Sequence, residues 1–198
     1  MPLAILLAAV AAISGFLIGY DTAVIAGALE FIAKDFALGE VAQGAIVTAI
    51  LVGGLVGAVG GGPVARRLGQ RPTLMITGAI FAVCAVGSAL AIGPWDLGAW
   101  RFGLGLAVGS ATMVAPLYVA ETAPPRLRGA LVSAIQLAIT TGILVSYLVG
   151  YLFTGAGDWR MMLGLGAVPA LLLLAGLVFL PESPRWLVMA GREADARR

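Results

Sequence analysis

Long apolar runs alternate along the chain with short breaks that carry charge, proline or turn residues. Six runs stand out, at about 3–31, 41–64, 73–93, 98–121, 129–153 and 160–180. A hydrocarbon core about 30 Å thick takes roughly 20 apolar residues as a helix, so each run is long enough to cross a bilayer. None shows the in-out alternation of a barrel strand, and a helix satisfies its own backbone polar groups in lipid. The pattern predicts an all-α membrane protein, with a six-helix transmembrane bundle over 1–180 and a polar tail over 181–198. The apolar start resembles a cleavable leader, but no basic residue precedes it and the pattern runs on past Asp21 to Phe31, so it is expected to remain as the first span.

Composition agrees with the pattern and removes other classes. Hydrophobic residues make up 61% of the chain and charged residues 11%, less than half of the roughly 25% that a soluble domain uses. A net charge of +2 points to no nucleic-acid partner. With one cysteine, Cys84, and no histidine, neither a disulfide framework nor a metal site is expected. The acids lack metal-ligand spacing and no nucleophile–base set exists, so no enzyme activity and no cofactor are expected.

The basic residues are sorted by position. Nine of them (Arg66, Arg67, Arg71, Arg126, Arg128, Arg185, Arg192, Arg197 and Arg198) fall in alternate breaks and the tail, against Lys34 and Arg160 in the others. The positive-inside rule then puts both termini in the cytoplasm of a cell that carries the protein in its plasma or inner membrane.

Within the spans, glycine recurs at intervals of four, as at Gly53, Gly57 and Gly61 and at Gly105 and Gly109. Such stripes let two backbones approach closely, within one subunit or across a dimer. Two charges lie at membrane depth, Asp21 in the first span and Arg101 in the fourth. Each costs at least a few kcal/mol unless it faces a cavity or a partner, and each is the natural partner of the other. A permanent pair would orient two helices; a pair that opens with conformation would let the carboxylate take up and release a proton. Arg101 could also snorkel to the nearby interface. Gln136, in the middle of the fifth span, can donate and accept toward a hydroxyl-rich ligand or bond to a neighbouring helix.

Six ordered segments then read together: GYDTAVIAGAL (19–29), RRLGQRPTL (66–74), RFGLGLAVG (101–109), PLYVAETAPPRLRG (116–129), QLAITTGI (136–143) and PESPRWL (181–187). In this order they resemble the amino-terminal half of a sugar porter of the major facilitator superfamily, over essentially the whole chain. The resemblance implies a 3+3 inverted repeat, faintly echoed in the chain at 19–30 and 109–121. It implies that Asp21 is the carboxylate of proton-coupled members and Arg101 its fourth-helix partner. Gln136 would hydrogen-bond the sugar beside Ile139 and Ile143, with Tyr20 among the substrate contacts. Arg67, Arg71, Glu121, Arg128, Glu182 and Arg185 would form a cytoplasmic charge network that holds the outward-open state.

Some positions depart from the family pattern. Arg66 stands where an acid is usual and Gln70 where a base is usual, and an arginine cannot cap a helix amino terminus as a carboxylate can. Ile18 replaces a phenylalanine common beside the sugar. The chain carries six of the twelve helices that the resemblance implies, and one half cannot enclose a site between two halves. The expected function is transport of a monosaccharide, proton-coupled, by two copies paired about a twofold axis. The alternatives are a truncated or designed half that needs a carboxy-terminal half, and a sugar-binding sensor or structural module that does not transport.

Overall fold

The computed structural model describes residues 2–196, and its regular elements there are helices alone. Arg197 and Arg198, counted in the charge bias, lie outside these residues. Helices α1 (Pro2–Asp35), α2 (Glu40–Leu68), α3 (Gln70–Ala89), α4 (Pro94–Thr122) and α5 (Arg128–Thr154) each cover one apolar run. The sixth run is divided into α6 (Trp159–Gly164) and α7 (Ala167–Val178), and two short helices follow, α8 (Pro184–Met189) and α9 (Glu193–Ala196). Among the described residues, six stretches are long and apolar enough to cross a membrane, the sixth being Trp159–Val178.

The division of the sixth run has a local cause. Pro169 has no N–H for the carbonyl of Leu165, four residues back. Val168 N takes that carbonyl at 3.1 Å and Gly166 N bonds Leu163 O at 3.2 Å, so tighter three-residue bonds replace the α pattern. A second departure concerns 65–72, expected as a loop carrying three arginines. Arg66 and Arg67 instead extend α2, Arg71 lies in the first turn of α3, and Gly69 alone separates the helices. Its φ of 105° is a conformation that suits glycine.

Packing follows glycine. Along α1, a Cβ at Gly15 or Gly19 would strike the backbone of Ile135 or Ile139 in α5, and one at Gly142 would strike the backbone of α1 at Phe16 and Tyr20. The pair α2 and α4 repeats the arrangement: Gly53 and Gly57 meet Phe102 and Leu106, while Gly105 and Gly109 meet Ile50 and Gly54. The stripes are therefore used inside one subunit. Helix α3 and the α6–α7 span close the bundle against α4 and α1, burying Leu7, Phe81, Leu104 and Leu173. Helices α2 and α5 are the more open spans, with Leu51, Leu55, Val59, Leu137 and Leu152 all more than half exposed.

Candidate transport site and its relatives

Asp21 follows Gly19 by two residues, which at 3.6 residues per turn carries it to the far side of α1 from α5. There it meets α4, where Arg101 Nη1 donates to Asp21 Oδ1 at 3.1 Å. The side chains are 5% and 0% exposed, so Arg101 does not snorkel to the surface. The contact is single rather than bidentate. Asp21 Oδ2 and Arg101 Nε and Nη2 are buried without a hydrogen-bond partner, although a guanidinium and a carboxylate can make two parallel bonds.

Gln136, Thr140 and Ile143 share one side of α5 by their four- and seven-residue spacing. Gln136 and Thr140 are exposed on it, and Ile139 and Ile143 are half-buried beside them. Thr140 donates to its own helix at Leu137 O, 2.7 Å away, which leaves its oxygen lone pairs outward. Ile18 is half-buried and Thr22 exposed, one turn apart on α1. Tyr20 lies elsewhere. Its ring is buried against Phe16, and its hydroxyl donates to Met162 O at 2.7 Å, joining α1 to α6.

At the end of the bundle that holds α8, Glu121 and Glu182 gather mostly neutral donors. Glu182 Oε1 accepts from the backbone N–H of Gln70 and of Arg71, each at 3.1 Å, and caps the start of α3. Glu121 Oε2 accepts from Gln70 Nε2 and from Ser183 Oγ, each at 2.7 Å, with Arg185 Nη1 3.5 Å from its other oxygen. Arg71 reaches the carbonyls of Leu177 and Val178 at 2.8 and 2.9 Å, closing the carboxyl end of α7. Arg128 Nε donates to Ala123 O at 3.1 Å, and Arg67 is exposed. Arg66 contributes its carbonyl, which accepts from Trp186 Nε1 at 3.0 Å. Sequence reasoning left Gln70, Ser183 and Trp186 out of this cluster. A serine before Pro184 is a legible N-cap signal, and Ser183 indeed accepts from Trp186 N at 3.3 Å. The reach of Gln70 to Glu121 has no local signal.

The site is thus a six-span helical bundle with an ion pair inside it and polar side chains open on one face. Residues 7–198 match the sugar (and other) transporter family, and the chain belongs to that family, corresponding to the amino-terminal half of a major facilitator sugar porter. It is 46% identical over 187 residues to a D-xylose transporter of Levilactobacillus brevis, covering 94% of this chain and 41% of the relative. It is also 46% identical over 188 residues to the galactose-proton symporter of Escherichia coli, covering 95% of this chain and 40% of the relative. Its fold superposes with a TM-score of 0.89 on the proton:xylose symporter XylE bound to 6-bromo-6-deoxy-D-glucose, at 34% identity, over 98% of this chain and 48% of that one. The chain thus spans about two fifths of the length of the curated relatives it matches.

Proposed function

We propose that this chain forms the amino-terminal six-helix unit of a transporter that moves a monosaccharide, a pentose or a hexose, together with a proton by alternating access. The observation that carries this reading is the Asp21–Arg101 pair, buried and held by one 3.1 Å bond. When α1 and α4 shift, Asp21 can exchange its arginine for a proton and later reverse the exchange. The relatives named for D-xylose and for galactose with proton support both the substrate class and the coupling. Gln136 supplies a donor and an acceptor to sugar hydroxyls, and Ile139 and Ile143 offer apolar surface to the C–H faces of the ring. The cluster around Glu121 and Glu182 ties the ends of α3, α4 and α7 to the segment before α8, and its opening accompanies the inward-facing state.

The same reading includes the orientation and the repeat. The arginine bias supports cytoplasmic termini in a plasma or inner membrane. The pairing of α1 with α5 through glycines, matched by α4 with α2, is the exchange expected when helices 1–3 and 4–6 are related by an inverted repeat. A second six-helix unit covers the Gln136 face. A second copy of this chain can fill that role, because halves related by an axis along the membrane normal can be replaced by identical units about a true twofold.

The test is uptake of labelled D-xylose and D-galactose into liposomes with an imposed proton gradient. Sugar accumulates uphill with the native residue, and Asp21→Asn abolishes accumulation while sparing exchange between equal sugar pools. Accumulation that survives Asp21→Asn overturns the coupling role. Uptake that requires a co-expressed carboxy-terminal half overturns self-pairing.

A further inference from the structure

On the α8 side of the Asp21–Arg101 pair, the seam between α1 and α4 holds a small pocket with a volume of about 10 Å3. Ser14 and Ile18 of α1 face Val108 and Ala111 of α4 across it, and Thr77 of α3 and Leu173 of α7 close it from behind. Ser14, Ile18 and Asp21 are four and then three residues apart, so they share one side of α1, and Arg101 and Val108, seven apart, share one side of α4. The ion pair and the pocket are therefore two levels of one seam, separated by about 10 Å along α1. Ile18, half-buried, stands between them.

The side chains of the lining are apolar except for two hydroxyls. Ser14 and Thr77 are only 2% and 6% exposed. Ser14 Oγ donates to Ala11 O at 2.8 Å, and Thr77 Oγ1 donates to Leu74 O at 2.9 Å. Each hydroxyl has spent its proton on its own helix and keeps lone pairs that can accept. One water needs about 10–15 Å3 of such space and at least two polar partners. The pocket meets both conditions at their lower limit.

Its two partners are acceptors only, and that sets what the site favours. A water that donates to both has its own oxygen free to accept. Once it has accepted a proton, the same two acceptors stabilise its positive charge. The other end of the seam has a matching feature, because Asp21 Oδ2 is buried without a hydrogen-bond partner and is free to carry a proton.

We propose that Ser14 and Thr77 hold a water that relays the coupling proton between Asp21 and the α8 end of the bundle. This rests on the reading of Asp21 as the coupling carboxylate. When α1 and α4 part and Ile18 swings out of the seam, the O–H bond of the Asp21 carboxyl breaks as an O–H bond of hydronium forms. The electron pair stays on the carboxylate, which returns to Arg101, and the hydronium passes a proton on toward the α8 end. While the seam is closed, Ile18 separates the water from the carboxyl and stops protons from leaking without sugar.

The test has two readouts, both on the assembly that supports uptake. In water-edited solid-state NMR of the protein in lipid, magnetisation passes from water to the Cβ protons of Ser14 and Thr77, and Thr77→Val removes the signal at Ser14. In liposomes, Thr77→Val slows net proton-driven uptake about tenfold, as for the loss of one hydrogen bond to a charged group, and leaves exchange between equal sugar pools unchanged. Thr77→Ser, which keeps the hydroxyl, restores the native rate. A dry Ser14 and Thr77 overturns the proposal. So does net uptake that is unchanged in Thr77→Val, or that falls in step with exchange while helical circular dichroism matches the native protein. Accumulation that survives Asp21→Asn overturns the coupling role itself, and the relay with it, while leaving the water signal in place.

Discussion

Asp21 and Arg101 place two opposite charges inside a bundle that has few other polar groups at that depth, and the cost of each is offset by the other. Removing one partner strands the second, so Arg101→Ala should lower stability by about 3 kcal/mol. Adding Asp21→Asn to it should restore much of that loss, because the stranded carboxylate is gone; thermal unfolding of the two single variants and the double variant in one detergent measures the coupling. At Ala37 the chain adopts φ 50°, a left-handed conformation in which a Cβ is strained. It stands just past α1, where Leu38 N bonds Ala33 O at 2.9 Å in a Schellman-type closure. Ala37→Gly should raise stability by about 1 kcal/mol, read as a higher melting temperature with unchanged helix content. Residue identity made the ion pair legible in the sequence, since two charges at membrane depth have few alternatives to each other. Tyr20 was not legible in this way: its partner is a backbone carbonyl of α6, and no sequence pattern marks which carbonyl a buried phenol will find.

Helices in lipid gain little from the hydrophobic effect when they associate, so close backbone approach decides which of them pair. Helix α2 offers an internal comparison. A Cβ at Gly57 would collide with the backbone of Leu106, whereas one at Gly60 meets nothing within 4 Å. Gly57→Ala should therefore lower the melting temperature strongly or abolish folding, and Gly60→Ala should leave it unchanged or slightly raised, since alanine also favours the helix. Equal effects at the two positions would show that α2 is held by something other than its contact with α4. The same scale explains where the helix expectations strayed. Hydropathy locates runs but is blind to a single proline inside them, so the break before Pro169 was hidden. It also treats arginine as loop, although Arg66 and Arg67 continue α2 and only Gly69 interrupts the backbone. At that junction Glu182 supplies the acceptor for the first N–H groups of α3. Glu182→Ala should loosen the start of α3 by about 1–3 kcal/mol, seen as faster amide exchange at Gln70 and Arg71 with α4 and α5 unaffected.

The whole molecule presents an open face on α5 that carries Gln136 and Thr140, next to spans that are closed by glycine on their inner sides. Under the proposed function, a sugar bound there by one glutamine would be held weakly, and a second six-helix unit would supply the rest of the enclosure. Subunit counting by single-molecule photobleaching at low density in lipid should give a discrete dimer if the second unit is another copy. A persistent monomer would assign that role to a carboxy-terminal half. Orientation is open to an independent check, because Cys84 is buried and can be replaced. A cysteine introduced at Gly191 in a Cys84→Ser background should react with a membrane-impermeant maleimide only after the vesicles are opened, if the end of the chain is cytoplasmic.

The helical membrane class, the number of spans and the likeness to sugar porters were all legible in the sequence, and Asp21 and Arg101 stood out there as candidate partners. Each depends on a property carried by single residues or short runs, namely apolar length, charge at depth and ordered motifs. Tertiary structure decided the rest. It consumed the glycine stripes inside one subunit, turned Tyr20 away from the face of Gln136, and built the Glu121–Gln70–Ser183 cluster from segments far apart in the chain. These features depend on which helix faces lie against one another, and that choice is made by backbone clearances of a few tenths of an ångström, which hydropathy does not encode.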